Sequence, residues 1–182
     1  MKKINSDYKQ YYLLAFIILL GFLARLFFQV GHIFSDDAYY SNFCYTLLNG
    51  DFGKDYLGYP VFPLRAAFIG LISISMMIFW TNQFATVFFP FAFSLLNILL
   101  AYNLTRLLTD NHKISITAAF LTAFFPTDII FATIGFPDLI NVFLINLGIF
   151  FLLKSYFQKR NFWTFAGGIS FFLSMQFKGN IY

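Results

Sequence analysis

Six apolar runs divide the chain: Tyr11–Gly31, Leu64–Trp80, Phe84–Leu108, Ile114–Gly135, Pro137–Leu153 and Phe162–Phe177. A helix needs roughly 20 apolar residues, with a range of about 17–25, to cross the hydrocarbon core of a membrane. Most of these runs therefore predict crossing helices. The first is broken only by Arg25 and follows Lys2, Lys3 and Lys9. It is too long for the apolar core of a secretory leader, and no small-x-small cleavage site follows it, so it predicts an uncleaved anchor. Polar residues collect between the runs, the longest polar stretch being Asn49–Pro60. No soluble domain, internal repeat or low-complexity linker interrupts the pattern, which predicts one all-α membrane domain.

The run Leu64–Trp80 decides the map. It begins beside Arg65 and contains Ser73 and Ser75. If it crosses and the N-terminus is cytoplasmic, most of the later lysines and arginines face outward, against the positive-inside rule. If it lies along the outer interface, Lys2, Lys3, Lys9, Arg106, Lys113, Lys154, Lys159 and Arg160 are cytoplasmic, and only Lys54, Arg65 and Lys178 are outside. That asymmetry favours a multi-pass protein of the cell membrane with a cytoplasmic N-terminus. Its five spans are 11–31, 84–108, 114–135, 137–153 and 162–177. An external loop, 32–83, carries two juxtamembrane helices near 36–49 and 64–80. Asp36, Asp37, Asp138 and Lys178 then share one aqueous face.

Within the loop, Ser35–Gly50 reads SDDAYYSNFCYTLLNG. Ser35 or Asp36 suits a helix start, and Gly50 suits a left-handed stop. Tyr39, Phe43 and Leu47 repeat at i+4, as do Tyr40, Cys44 and Leu48, giving one apolar stripe of an interfacial helix. The helix dipole favours ionised carboxylates at Asp36 and Asp37. The plain role for such a pair is a cap and a first-turn charge. The chemical role is a base or a cation site, because adjacent carboxylates raise one another's pKa and a divalent ion lowers both. The following segment, Asp51–Leu64, is an extended loop stiffened by Pro60 and Pro63, whose aromatic residues Phe52, Tyr56, Tyr59 and Phe62 suit headgroups or a sugar face.

Composition narrows the class. Of 182 residues, 59% are hydrophobic and only 11% charged, where a soluble domain carries about 25%. A water-exposed fold and a disordered chain are both excluded. The net charge of +4 belongs to membrane topology in so apolar a chain, and nucleic acid is not an expected partner. A single cysteine, Cys44, excludes a disulfide framework and a cysteine-rich zinc site.

The order DDAYY, LLNG and YPVFPL after the first span resembles the GT-C superfamily of membrane glycosyltransferases. It is most similar to the glycosyltransferase family 39 group, with its protein O-mannosyltransferases and lipid A aminoarabinose transferases. The likeness falls on Asp36, Asp37, Ala38, Tyr40, Leu47, Gly50, Tyr59, Pro60, Phe62, Pro63 and Leu64. It continues through Ala92–Leu108, through Phe124–Lys154 with Asp138 matching a second acidic position, and through Trp163–Asn180 with its Lys178-Gly179 pair. The chain departs from the pattern in having Asp37 where Glu is common. It also departs in length, which makes it resemble the N-terminal part of a longer enzyme.

The resemblance implies an inverting transfer of a sugar from a polyprenyl-phosphate donor to an acceptor glycan, lipid or protein at the outer face. It implies Asp36 as the base with Asp37 beside it. Asp138 either holds the acceptor or shares a divalent metal ion with Asp36, and Lys178 neutralises the leaving lipid phosphate. Each has a plainer role: Asp138 as a helix cap after Pro137, Lys178 as an interfacial anchor. Arg25 and Asp128 lie inside predicted spans, where charges are costly and paired. Arg25 is expected to snorkel or meet a loop carboxylate, and Asp128 to bond backbone freed by Pro126. His32 is expected at the interface, His112 in a cytoplasmic turn and Cys44 in packing. An inactive module that binds lipid or a partner, and a small transporter, are the competing classes.

Overall fold

The computed structural model describes residues 2–33, 35–50 and 65–177, with side chains from residue 10 onward. The described residues form eight α-helices and no strand. In chain order they are α1 (Lys2–Phe27), α2 (Asp36–Leu48), α3 (Ala66–Phe79), α4 (Gln83–Thr109), α5 (His112–Ala123), α6 (Pro126–Phe131), α7 (Asp138–Gln158) and α8 (Asn161–Phe177). Three of them are long and apolar enough to cross a membrane: the Gln10–Phe27 part of α1, α4 and α7. Large apolar side chains stand exposed along their outer faces, among them Phe16, Leu19 and Leu23 on α1. In water that surface is untenable, whereas lipid covers it at no cost.

Helix ends follow local chemistry. Asn82 caps α4 by accepting from the Ala85 amide, and Asn111 caps α5 by accepting from the amides of Lys113 and Ile114. Between these two helices Asp110 takes the left-handed conformation and pairs with Arg106 at 2.8 Å. Lys159 makes the same left-handed turn between α7 and α8. These two helices pack closely because Gly148 and Gly167 lack side chains: a Cβ at Gly148 would lie 2.9 Å from the Phe171 ring. Their junction is closed by Lys154, whose ammonium sits 3.7 Å from the centre of the Trp163 ring.

α3 has 14 residues, a rod of about 21 Å, too short for a hydrocarbon core of about 30 Å. It packs instead between α2, α4 and α8. Phe68, Ile69, Ile72 and Met76 of α3 join Tyr40 and Cys44 of α2 in the larger of two apolar clusters. The stripe predicted on α2 is thus divided. Tyr40 and Cys44 are fully buried against protein, while Leu48 at the end of the same row and Tyr39 of the other row remain exposed. The Tyr40 and Phe68 rings meet edge-to-face at 5.0 Å. The Cys44 thiol faces the Ile69 carbonyl, and burial pushes its pKa up to about 11, which makes it inert.

The run 114–135, expected as one crossing, is two helices. Pro126 has no N–H and disfavours helical geometry in the residue before it. Phe125 accordingly is extended, at φ −68° and ψ 117°, and α5 stops at Ala123. With 12 and 6 residues, neither piece has the length to cross alone.

Helix directions follow from contacts. α1 runs against α4, since Phe22 meets Phe91 and Gly21 meets Ile98, while Leu14 and Ile17 share the second apolar cluster with Tyr102. α5 runs along α1, because Ala119 belongs to that cluster and Ala123 lies beside Gly21. The end of α1 and the start of α4 therefore meet at one end of the bundle, while α7 begins beside the middle of α4, where the Asn97 amide donates to the Leu139 carbonyl at 3.4 Å.

Candidate functional site

The site is built where α1 hands the chain to α2. Val30 donates its amide to Thr133 Oγ1 at 3.1 Å, which ties the end of α1 to the α6–α7 connection. Gly31 follows at φ +80°, a conformation that only glycine adopts readily. A side chain there would also strike the Gln83 amide at the start of α4. The turn folds residues 32–35 around Asp37. The amide of Ile33 donates to Asp37 Oδ2 at 2.9 Å, and the amide of Ser35 donates to Oδ1 at 2.8 Å. His32 Nδ1 lies 3.0 Å from Oδ2.

Asp37 is completely buried. Burial pushes its pKa up, but the donors from Ser35, Ile33, His32 and Ala38 together outweigh it, and the carboxyl is held below its usual value. It is an ionised group with its lone pairs already engaged. Ser35 does stand at the N-cap, yet its hydroxyl makes no cap bond. The cap is reversed: the Asp37 carboxylate reaches back to the Ser35 amide, as the acid of a capping box does.

Its neighbour differs in every respect. Asp36 is exposed and makes no hydrogen bond among the described residues. Of the adjacent pair, one carboxylate shapes the loop and the other is free for chemistry.

The connection that leads to the third acidic position comes to the same end. A Cβ at Gly135 would lie 3.7 Å from the Asp37 Cβ and 3.7 Å from the Thr86 carbonyl, so the α6–α7 connection rests directly on Asp37. Asp138, three residues on, is half-buried in the first turn of α7. Pro137, not Asp138, occupies the N-cap position. Lys178, expected at the donor phosphate, and the loop Asp51–Leu64 lie outside the described residues.

No group of three His, Cys, Asp or Glu side chains converges among the described residues. Asp37 is already engaged by three donors, and Asp36 and Asp138 are joined by no third such side chain among the described residues.

His32 is the residue that sequence reasoning undervalued. Ionised Asp37 only accepts, so His32 Nδ1 carries the proton and the ring is fixed in one tautomer. The sequence signal was a histidine five positions before an aspartate across a glycine turn, a spacing with no helical or strand period behind it.

A second buried charge lies deeper. Arg25 is fully buried rather than snorkelling. Its Nε donates to Ser94 Oγ, and its Nη1 donates to the carbonyls of Gly21 and Ala123, each at 2.9 Å. Ala123 is the last residue of α5, and its carbonyl has lost its helical partner to the break at Pro126. Arg25 therefore performs the task expected of Asp128. Asp128 itself lies within electrostatic reach of Arg25. It lines a cleft of about 140 Å³ with Asn97, Thr122 and Asn146.

Compared with known protein families, curated proteins and solved structures, the chain matches none.

Proposed function

We propose that the protein moves a sugar from a polyprenyl-phosphate donor to an acceptor at the outer face of the cell membrane. In this proposal α1, α4, the α5–α6 pair, α7 and α8 make five passes, and α2 and α3 stay at the outer end. The observation that carries it is the junction of α2 with the α6–α7 connection. Segments a hundred residues apart in sequence, the start of α2 with Asp36 and the connection that leads to Asp138, stand at one end of the bundle, where His32 and Asp37 fix the backbone. The family resemblance noted above supplies the reaction class.

The acceptor hydroxyl attacks the anomeric carbon directly and inverts it, while the C–O bond to the lipid phosphate breaks. A group where α1 hands the chain to α2 takes the acceptor's proton. Asp36 is the carboxylate available to meet that hydroxyl. Lys178 is proposed to balance the charge that develops on the leaving phosphate. No step is routed through a metal ion.

The cleft beside Asp128 favours one other class, a small transporter, since transport sites use polar groups at a broken helix. Against it, Asp128 lies within electrostatic reach of Arg25, which is itself bonded to Ser94, Gly21 and Ala123.

The test is transfer itself. Protein reconstituted in vesicles and supplied with polyprenyl-phosphate hexoses and pentoses is expected to release polyprenyl phosphate. Asp36→Asn is expected to slow that release severely. If no donor is consumed, glycosyl transfer is wrong. Labelling with an impermeant thiol reagent checks the map, in a Cys44→Ser background: a cysteine at Lys54 reacts in intact cells and one at Lys159 does not. The reverse pattern would reject the five-pass arrangement.

A further inference from the structure

We propose that His32, held by Asp37, is the general base of the site: its Nε2 takes the proton of the acceptor hydroxyl. The inference rests on the transfer reaction proposed above and moves the base from Asp36, where the sequence expectation put it.

Asp37 is buried and ionised, and two backbone amides lock its oxygens at 2.8 and 2.9 Å. A carboxylate so fixed cannot rotate to serve a substrate. It can orient what touches it, and what touches it is the imidazole, 3.0 Å away. With Nδ1–H directed at Asp37, Nε2 carries the lone pair. The His32 side chain is 26% exposed, so the ring is anchored on one side and open on the other. No other described group is bonded to Nε2. This is the orienter-and-base geometry that proton-transfer catalysts use. Against it stands Asp36, an ordinary exposed carboxylate with nothing to orient it.

The step balances. The acceptor O–H proton goes to Nε2, and the acceptor oxygen bonds to the anomeric carbon. The C–O bond to phosphate breaks, its electron pair leaving with the polyprenyl phosphate. The imidazolium is stabilised by Asp37 in contact and later returns its proton to water. Asp36 keeps the acceptor hydroxyl in place by a hydrogen bond. The titratable group in contact with His32 is Asp37, and from α4 the Gln83 amide, which does not titrate, lies beside the neighbouring Gly31.

Two substitutions separate a base from a structural tie. The Asn amide stands where Nδ1 stood, so His32→Asn keeps the donor to Asp37 and removes Nε2. His32→Gln places its amide nearer the Nε2 position and loses that donor. The expected result is a fall in transfer of roughly 10²–10⁴-fold for His32→Asn, with loss of the acid limb of the pH–rate profile and unchanged thermal stability. Normal transfer by His32→Asn, with Asp36→Asn dead, would overturn the base and leave the transferase standing. Nitrogen NMR of histidine-labelled protein in nanodiscs, assigned with His112→Gln, is expected to show a protonated Nδ1 and a bare Nε2 at His32, an asymmetry lost in Asp37→Asn. A protonated Nε2, or both tautomers equally, would overturn the inference whether or not transfer is seen. A wild type that transfers nothing removes both the reaction and the base, and the spectra then report only a structural dyad.

Discussion

Two ionised side chains, Asp37 and Arg25, are completely buried, and they are satisfied in opposite ways. Asp37 draws its donors from His32, Ile33 and Ser35, all within five positions of itself. Arg25 reaches Ser94 and Ala123, which are 69 and 98 positions away. The first charge is the centre of a loop that is complete in itself. The second is a tie between three helices that hold together only when all are present. Burying a charge is costly in either case, and the Arg25 Nη2 stays without a hydrogen-bond partner, so the penalty for losing a partner falls on different parts of the molecule.

The largest effect is therefore expected at Arg25. Arg25→Met leaves the Ala123 carbonyl and the Ser94 hydroxyl without their donor. Leaving buried polar groups unpaired costs about 1–3 kcal/mol each, read as global unfolding in detergent micelles. Arg25→Lys should recover little, because a single ammonium cannot span the fork that reaches Ser94 and Ala123 together. A small, purely local change in Arg25→Met would show that the three-helix tie is not needed.

Asp37→Asn should cost less, about 1–3 kcal/mol for the orphaned donors, and the loss should be confined. Hydrogen exchange at residues 32–38 is expected to quicken while α4 and α7 stay protected. The sign with pH follows from the lowered pKa. A folded-state pKa below the unfolded one stabilises fully above the unfolded value of about 3.9 and is lost as pH falls through the folded value. The wild-type loop should thus open below about pH 4, and Asp37→Asn should abolish that dependence. Acid opening that persists in the variant would assign it to another carboxylate.

The smallest effect sharpens the comparison. Gly135→Ala adds a methyl at ordinary contact distance, 3.7 Å from Asp37 Cβ, and should change stability by less than about 0.5 kcal/mol. Gly148→Ala, in the tightly packed α7–α8 pair, is the control and should cost about 1–3 kcal/mol through overpacking. Equal effects at the two glycines would mean that the Asp37 loop is packed as tightly as the helix pair.

The contrast also explains what was legible in the sequence. Helix α2 could be placed to within two residues because its signals are local: Ser35, Asp36 and Asp37 at the start, and Gly50, at φ +76°, just past its end. The runs that became α4, α7 and α8 were visible as hydropathy. Pro126 was seen to free backbone groups, but not to divide the run into two helices, because a hydropathy run has no backbone geometry. Arg25 was recognisable as an expensive charge, but its partners could not be named, since nothing in the sequence around position 25 points to 94 or 123. At the site, the adjacency of Asp36 and Asp37 suggested a matched pair. Only the turn at Gly31 separates their tasks, by wrapping the chain around one and leaving the other in the open.

The reach from Arg25 to Ala123 has a consequence for synthesis. The guanidinium enters the membrane with α1, before its last partner has been made, and 98 residues must still emerge. At about 5–20 residues per second, that is roughly 5–20 s. During that interval α1 carries an unmatched charge toward lipid, and only Gly21, one turn back on the same helix, offers it a carbonyl. Ser94 arrives next and Ala123 last. The break at Pro126 thus marks the moment in translation when the early part of the bundle is locked, and a ribosome stalled before it would leave a chain that inserts but does not close.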